Sequence, residues 1–161
     1  MEMKKAHKVT EKIGWLMNAE IEMHEEKCLV KKKRTFTVFL RSNAIAFTLD
    51  LDIWFTYYEE SGLAFNKAEI FLLPEEVPVF TLTLREYAIP FPTVYRQRQI
   101  VNPHVIAVHM ESLEPPDHFF QRLAAAFYAV KQKKENRAAI KRNFTTLQKT
   151  DDSLPYWKRN G

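Results

Sequence analysis

Asp50 and Asp52 stand one residue apart in AIAFTLDLDIWF, residues 44–55, inside a run whose apolar residues alternate almost without interruption. On a strand, residues i and i+2 point the same way. Two carboxylates so placed can hold a hard cation such as Mg²⁺, the arrangement that phosphoryl or nucleotidyl transfer needs. A metal centre also needs a third protein ligand or a bound phosphate, and the spacing supplies none. The competing reading makes both aspartates the polar alternates of an amphipathic strand, compensated by lysines across the sheet.

Basic residues form the other group with chemical potential. Lys131, Lys133, Lys134, Arg137, Lys141 and Arg142 fall within twelve residues beside one acid, Glu135, and Lys31, Lys32, Lys33 and Arg34 are consecutive. Such density attracts phosphate backbones through salt-dependent, sequence-independent affinity. Tyr128, Phe144, Tyr156 and Trp157 are near enough in sequence to stack on unpaired bases. A solvated helix face would have the same composition. Arg96 and Arg98 in VYRQRQ share one face of an expected strand. That face suits nucleic-acid contact, and it equally suits an edge strand guarded by charge.

The eight residues AFTLDLDI, 46–53, are similar to the hhhDhD strand, h being hydrophobic, that carries metal ligands in archaeo-eukaryotic primase-polymerases. That family also uses a downstream Ser-x-His and a further carboxylate. No Ser-x-His follows here, and the activity is not carried over.

Other chemistries find little support. Three glycines in 161 residues leave no GxGxxG, no GxxxxGK[ST] and no GxSxG. One cysteine, Cys28, excludes an internal disulfide framework and reads as a small buried hydrophobe. His104 and His109, five apart on an expected strand, face opposite sides, and no HxH or HExxH occurs. No cofactor is expected.

The elements that must position these groups follow from periodicity. Val9, Ile13, Leu16 and Met17 predict a helix over about 4–18, and NAEIEM then alternates. Strands are expected at 35–41, 44–57, 67–73, 79–87, 93–101 and 104–110, with prolines between several of them. Ser42-Asn43 is expected to turn the first two into a hairpin. Glu114-Pro115-Pro116-Asp117 opens a helix whose stripe is Phe120, Leu123, Phe127 and Val130. A second set, Ile140, Phe144 and Leu147, lies about 110° round from the first, so a break is expected in 131–137 and a second helix over about 136–149.

The expected fold is therefore α+β: one domain, with a mainly antiparallel sheet of five or six strands over about 19–110, an N-terminal helix and two C-terminal helices over about 117–149, and a tail at 150–161. Charge is segregated along it. Residues 1–34 carry nine Lys/Arg and six Asp/Glu, residues 35–116 five and ten, and residues 117–161 ten and four. With no apolar run long enough for a membrane span and no signal-peptide core, a cytoplasmic protein without membrane contact is expected. The expected function is non-enzymatic binding of DNA or RNA through the basic C-terminal helices. The alternatives are a protein-interaction module or homodimer joined through an aromatic sheet face or strand edge, and a metal-dependent phosphotransfer enzyme on Asp50 and Asp52. Trp54 and Tyr58 share the aspartates' expected face, as either interface reading would use them.

Overall fold

A computed structural model describes residues 2–87, 94–101 and 104–152, with side chains described for these except at 2–6, 40 and 144–152. Helix α1 spans Glu2–Met17 and leads into strands β1 (Glu20–His24), β2 (Lys27–Lys31), β3 (Lys33–Leu40), β4 (Asn43–Asp50), β5 (Asp52–Tyr58) and β6 (Leu63–Leu72). A 3-10 turn at Pro74–Glu76 starts α2 (Val77–Glu86), and β7 (Val94–Ile100), β8 (Val105–Glu114) and α3 (Pro116–Asp152) follow. Six strands form an antiparallel sheet in the order β1-β2-β5-β6-β8-β7, and β3 and β4 form a separate two-stranded sheet. The α+β class holds.

One face of the large sheet is the core. Ile53, Phe55, Ala64, Ala68, Ile70, Leu72, Val108 and Met110 are buried against Ile13 and Met17 of α1, Phe80 and Leu84 of α2, and Phe119, Phe120, Leu123, Ala126 and Val130 of α3. The phenyl rings of Phe55 and Phe120 meet edge-on at 5.5 Å, and those of Phe80 and Phe127 at 5.6 Å. Each fully buried aromatic contributes about 1.5–3 kcal/mol through the area it removes from water. The strand pairing places Asp52, Trp54, Lys67, Glu69, His109 and Glu111 together on the opposite face.

Of residues 79–87, expected as a strand, 79–86 belong instead to α2, and Tyr87 caps it. The alternation in VFTLTL is real, but Phe80 and Leu84, four apart, are the buried pair, and Leu82 is exposed. Thr81 and Thr83 donate their hydroxyls to the carbonyls of Val77 and Val79 at 2.9 and 2.8 Å, as threonines do inside a helix. Pro78 in the first turn is the start signal that the alternation concealed.

The run at 44–57 is likewise not one strand. It breaks at Leu51, which leaves Asp50 on β4 in the small sheet and Asp52 on β5 in the large one. Even so, the pairing is continuous: Cys28 faces Phe55, Val30 faces Ile53, Lys33 faces Asp50 and Leu40 faces Asn43. Leu51 N–H donates to Lys32 C=O at 3.0 Å across the break. Residues 27–58 thus make one hairpin bent at Lys32 and Leu51, whose outer part, residues 33–50, is an arm. The arm's base packs through Phe36, Phe47 and Leu49 on Leu73, Phe71, Val105 and Ile100.

Both expected C-terminal helical segments are helical, joined without the expected break in one 37-residue helix. The stripe Phe120, Leu123 and Val130 is buried, whereas residues 131–143 are exposed all round, Ile140 at 68%. Having left the body, the helix has no second surface to satisfy, so the offset between its apolar sets forces no bend. The side chains of Phe144 and Leu147, and all of Leu154, Tyr156 and Trp157, lie outside what is described.

Candidate nucleic-acid interface

The exposed part of α3 is built for helix. Residues 131–143, KQKKENRAAIKRN, hold neither glycine nor proline, and most are strong helix formers. At about 100° per residue, Lys131, Lys133, Lys134, Arg137, Lys141 and Arg142 occupy roughly half of the circumference. Glu135, with Gln132, Asn136, Ala139 and Asn143, falls on the other half. All six basic side chains are exposed. The result is a basic half-cylinder about 20 Å long at 1.5 Å per residue.

At its root the basic face meets acid. Lys133, Lys134 and Arg137 rim a shallow groove of about 140 Å³ with Leu73, Glu75, Glu76, Val79 and Val130. Glu76 is buried, and Arg34 grips it fork to fork, Nη1 to Oε1 at 3.0 Å and Nη2 to Oε2 at 2.9 Å. Oε1 of Glu76 also accepts the Leu73 N–H at 2.8 Å. Burial alone would raise the Glu76 carboxyl, but the Arg34 guanidinium, the Leu73 amide and the Lys134 charge outweigh it and hold the group below its ordinary range. The guanidinium also lies over the rings of Phe36 and Phe127, at 4.8 and 5.7 Å.

The four consecutive basic residues do not form one patch. Strand geometry sends neighbours to opposite sides. Lys31 pairs with Glu22 at 3.3 Å, Lys33 with Asp50 at 4.0 Å, and Arg34 with Glu76. Lys32 donates its ammonium to the Met17 carbonyl at 2.7 Å, and burial, then the Arg34 charge, lower its pKa. Arg96 and Arg98 lie exposed on the edge strand β7, where Arg98 reaches Glu69 at 3.7 Å. Of the twelve basic candidates, Arg34 and the root of the α3 cluster are therefore brought together, around Glu76.

Asp50 and Asp52, set on different sheets, face lysines: Asp50 meets Lys33, and Asp52 meets Lys67 at 3.7 Å. Among the described residues no group of three His, Cys, Asp or Glu is placed to hold a metal ion. Trp54 does lie on Asp52's face, with Phe65 at 5.6 Å and the ammonium groups of Lys27 and Lys67 over its ring at 4.4 and 5.8 Å.

Two features were not anticipated from sequence: the Glu75-Glu76 pair beneath the basic helix, and the buried pair of Arg122 with Glu114. Two acids ahead of Val-Pro are a helix-start signature for the first. For the second, an arginine amid FFQRLAAAF was the available sign. No described helix is long and apolar enough to cross a membrane. Comparisons with family models, with curated proteins and with solved structures returned no match to this chain.

Proposed function

We propose that the chain is a non-enzymatic nucleic-acid-binding protein that engages the phosphate backbone with the outer part of α3. The supporting observation is the exposed basic half-cylinder at residues 131–143, with its one acid, Glu135, at the margin of the basic arc beside Arg142. Binding of this kind derives its free energy mainly from counterion release, so it is salt-dependent and indifferent to sequence. The outer turns are the working face in this reading, because at the root Lys134 already interacts with Glu76, and Lys133 and Arg137 share a groove with Glu75 and Glu76.

The test is fluorescence anisotropy of labelled single- and double-stranded DNA and RNA at several salt concentrations. Binding should weaken steeply with salt. Replacing Lys141 and Arg142 together by Gln should reduce the slope of log K against log salt by about 2, close to one for each phosphate no longer neutralised. Absence of binding at low salt, or a slope that the double variant leaves unchanged, would refute the reading.

A further inference from the structure

We propose that the β3-β4 arm is a self-association element, pairing edge to edge with the same arm of a second copy of this chain. The arm is apolar on both faces towards its tip: Val38 and Ile45 oppose each other on one face, Phe39 and Ala44 on the other. Strands that read as continuous apolar runs are ordinarily covered on both sides. Here the body covers only the base, at Phe36, and farther out Phe39 is 76% exposed and Ile45 45% exposed. Among the described residues the arm is a two-stranded sheet, with no further strand on either edge. Two strands alone are marginal in water. The arm's turn adds no help, since Arg41 and Ser42 both hold positive φ, 49° and 73°, without being glycine.

Charge identifies the occupant. From Thr35 to Leu49 the arm has one charged residue, Arg41 at the tip; at the base Arg34 is held by Glu76, and Asp50 lies across from Lys33 at 4.0 Å with both side chains largely exposed. That composition is poor for a phosphate backbone, which a ribbon in a groove would have to meet with several cations. It is self-complementary, however. When two β4 strands pair antiparallel about a two-fold axis, the Asp50 end of each lies beside the Arg41 end of the other, with the uncharged residues 42–49 between. The β4 edge also lacks the lysine, proline or bulge that normally blocks such pairing.

The test is sedimentation velocity over a micromolar concentration series, with circular dichroism as the check on folding. The wild-type chain is expected to reach twice its 19.0 kDa mass. Ala46→Lys, or Ala44→Lys should the first variant fold poorly, is expected to hold it at one mass. An isologous interface contains each contact twice, so Arg41→Asp and Asp50→Arg should each weaken association about tenfold, and the double reversal should restore it. A wild-type chain that stays monomeric, a dimer indifferent to both lysine variants, or a double reversal without recovery would overturn the proposal.

Discussion

Arg34 and Glu76 join the bent hairpin to the helical layer through two parallel hydrogen bonds of 3.0 and 2.9 Å, with side chains only 18% and 8% exposed. Planar fork-to-fork contact is what arginine offers and lysine does not. Arg34 also donates to the Phe71 carbonyl at 2.8 Å, so one side chain ties β3 to the end of β6 and to the turn before α2. Removing one partner strands the other charge. Arg34→Ala or Glu76→Ala should each cost about 3–5 kcal/mol in urea unfolding, and Arg34→Met with Glu76→Leu should recover most of it. Single-variant losses below about 1 kcal/mol would show that the clamp carries no stability.

The same pair sets a pH dependence with a definite sign. The folded-state pKa of Glu76 is lowered, so the unfolded chain binds its proton more readily. The pair's contribution is fully present above the ordinary glutamate value of about 4.3 and is lost as the pH falls through the depressed one. Glu76→Gln should therefore flatten the acid limb of a stability profile, with little change in slope from pH 6 to 8. Unfolding free energies at pH steps from 3 to 8 would reveal it, and an unchanged acid limb would contradict it.

Cys28 faces the core with its thiol 3.2 Å from the Met23 sulfur, and burial pushes its pKa up to about 11 from an ordinary 9.0. The thiolate is the reactive form. Native protein at pH 8 should react with a chromogenic disulfide at least a hundredfold more slowly, by order of magnitude, than protein unfolded in guanidinium. Comparable rates in the two states would place the thiol at the surface.

These pairings explain what the chain could reveal by inspection. The helix α1, most strands and the start of α3 are legible because each shows its own local period or its prolines. Leu51 continues the alternation of its neighbours perfectly, so nothing local marks the bend. The bend comes from Phe36 and Leu49 finding Leu73 and Val105 far along the chain. Likewise the α3 cluster is visible as charge density, whereas Arg34 meets an acid 42 positions away. Its use could not be read from KKKR. Residues 79–84 show the opposite failure, a strand-like alternation overruled by Pro78 and by the burial of Phe80 and Leu84.

Ser42 holds φ at 73° in the arm's two-residue turn. A side chain in the left-handed region costs about 1 kcal/mol that glycine avoids. Ser42→Gly should slow amide exchange at Val38 and Ile45 about fivefold and leave exchange at Ile70 in the core unchanged. Equal slowing at all three would mean that the arm opens only with global unfolding.

Arg122 is a fully buried cation among the described residues. Its side chain projects from α3 and donates Nη2 to Glu114 Oε1, while its Nε and Nη1 find no hydrogen-bond partner among the described residues. Burial pushes the Glu114 carboxyl up, and the Arg122 charge only partly offsets it. A guanidinium cannot shed its proton to escape such a place. Glu114→Gln should therefore be severe, about 3–5 kcal/mol, because it leaves a buried cation unpaired. Arg122→Met with Glu114→Gln removes the cation, fills its volume with an unbranched apolar chain, and should equal or exceed wild-type stability by about 1–4 kcal/mol. Chemical denaturation of the three proteins separates the outcomes. If the double variant is as weak as the single one, the buried pair is a net stabiliser, and the unpaired nitrogens cost less than their burial implies.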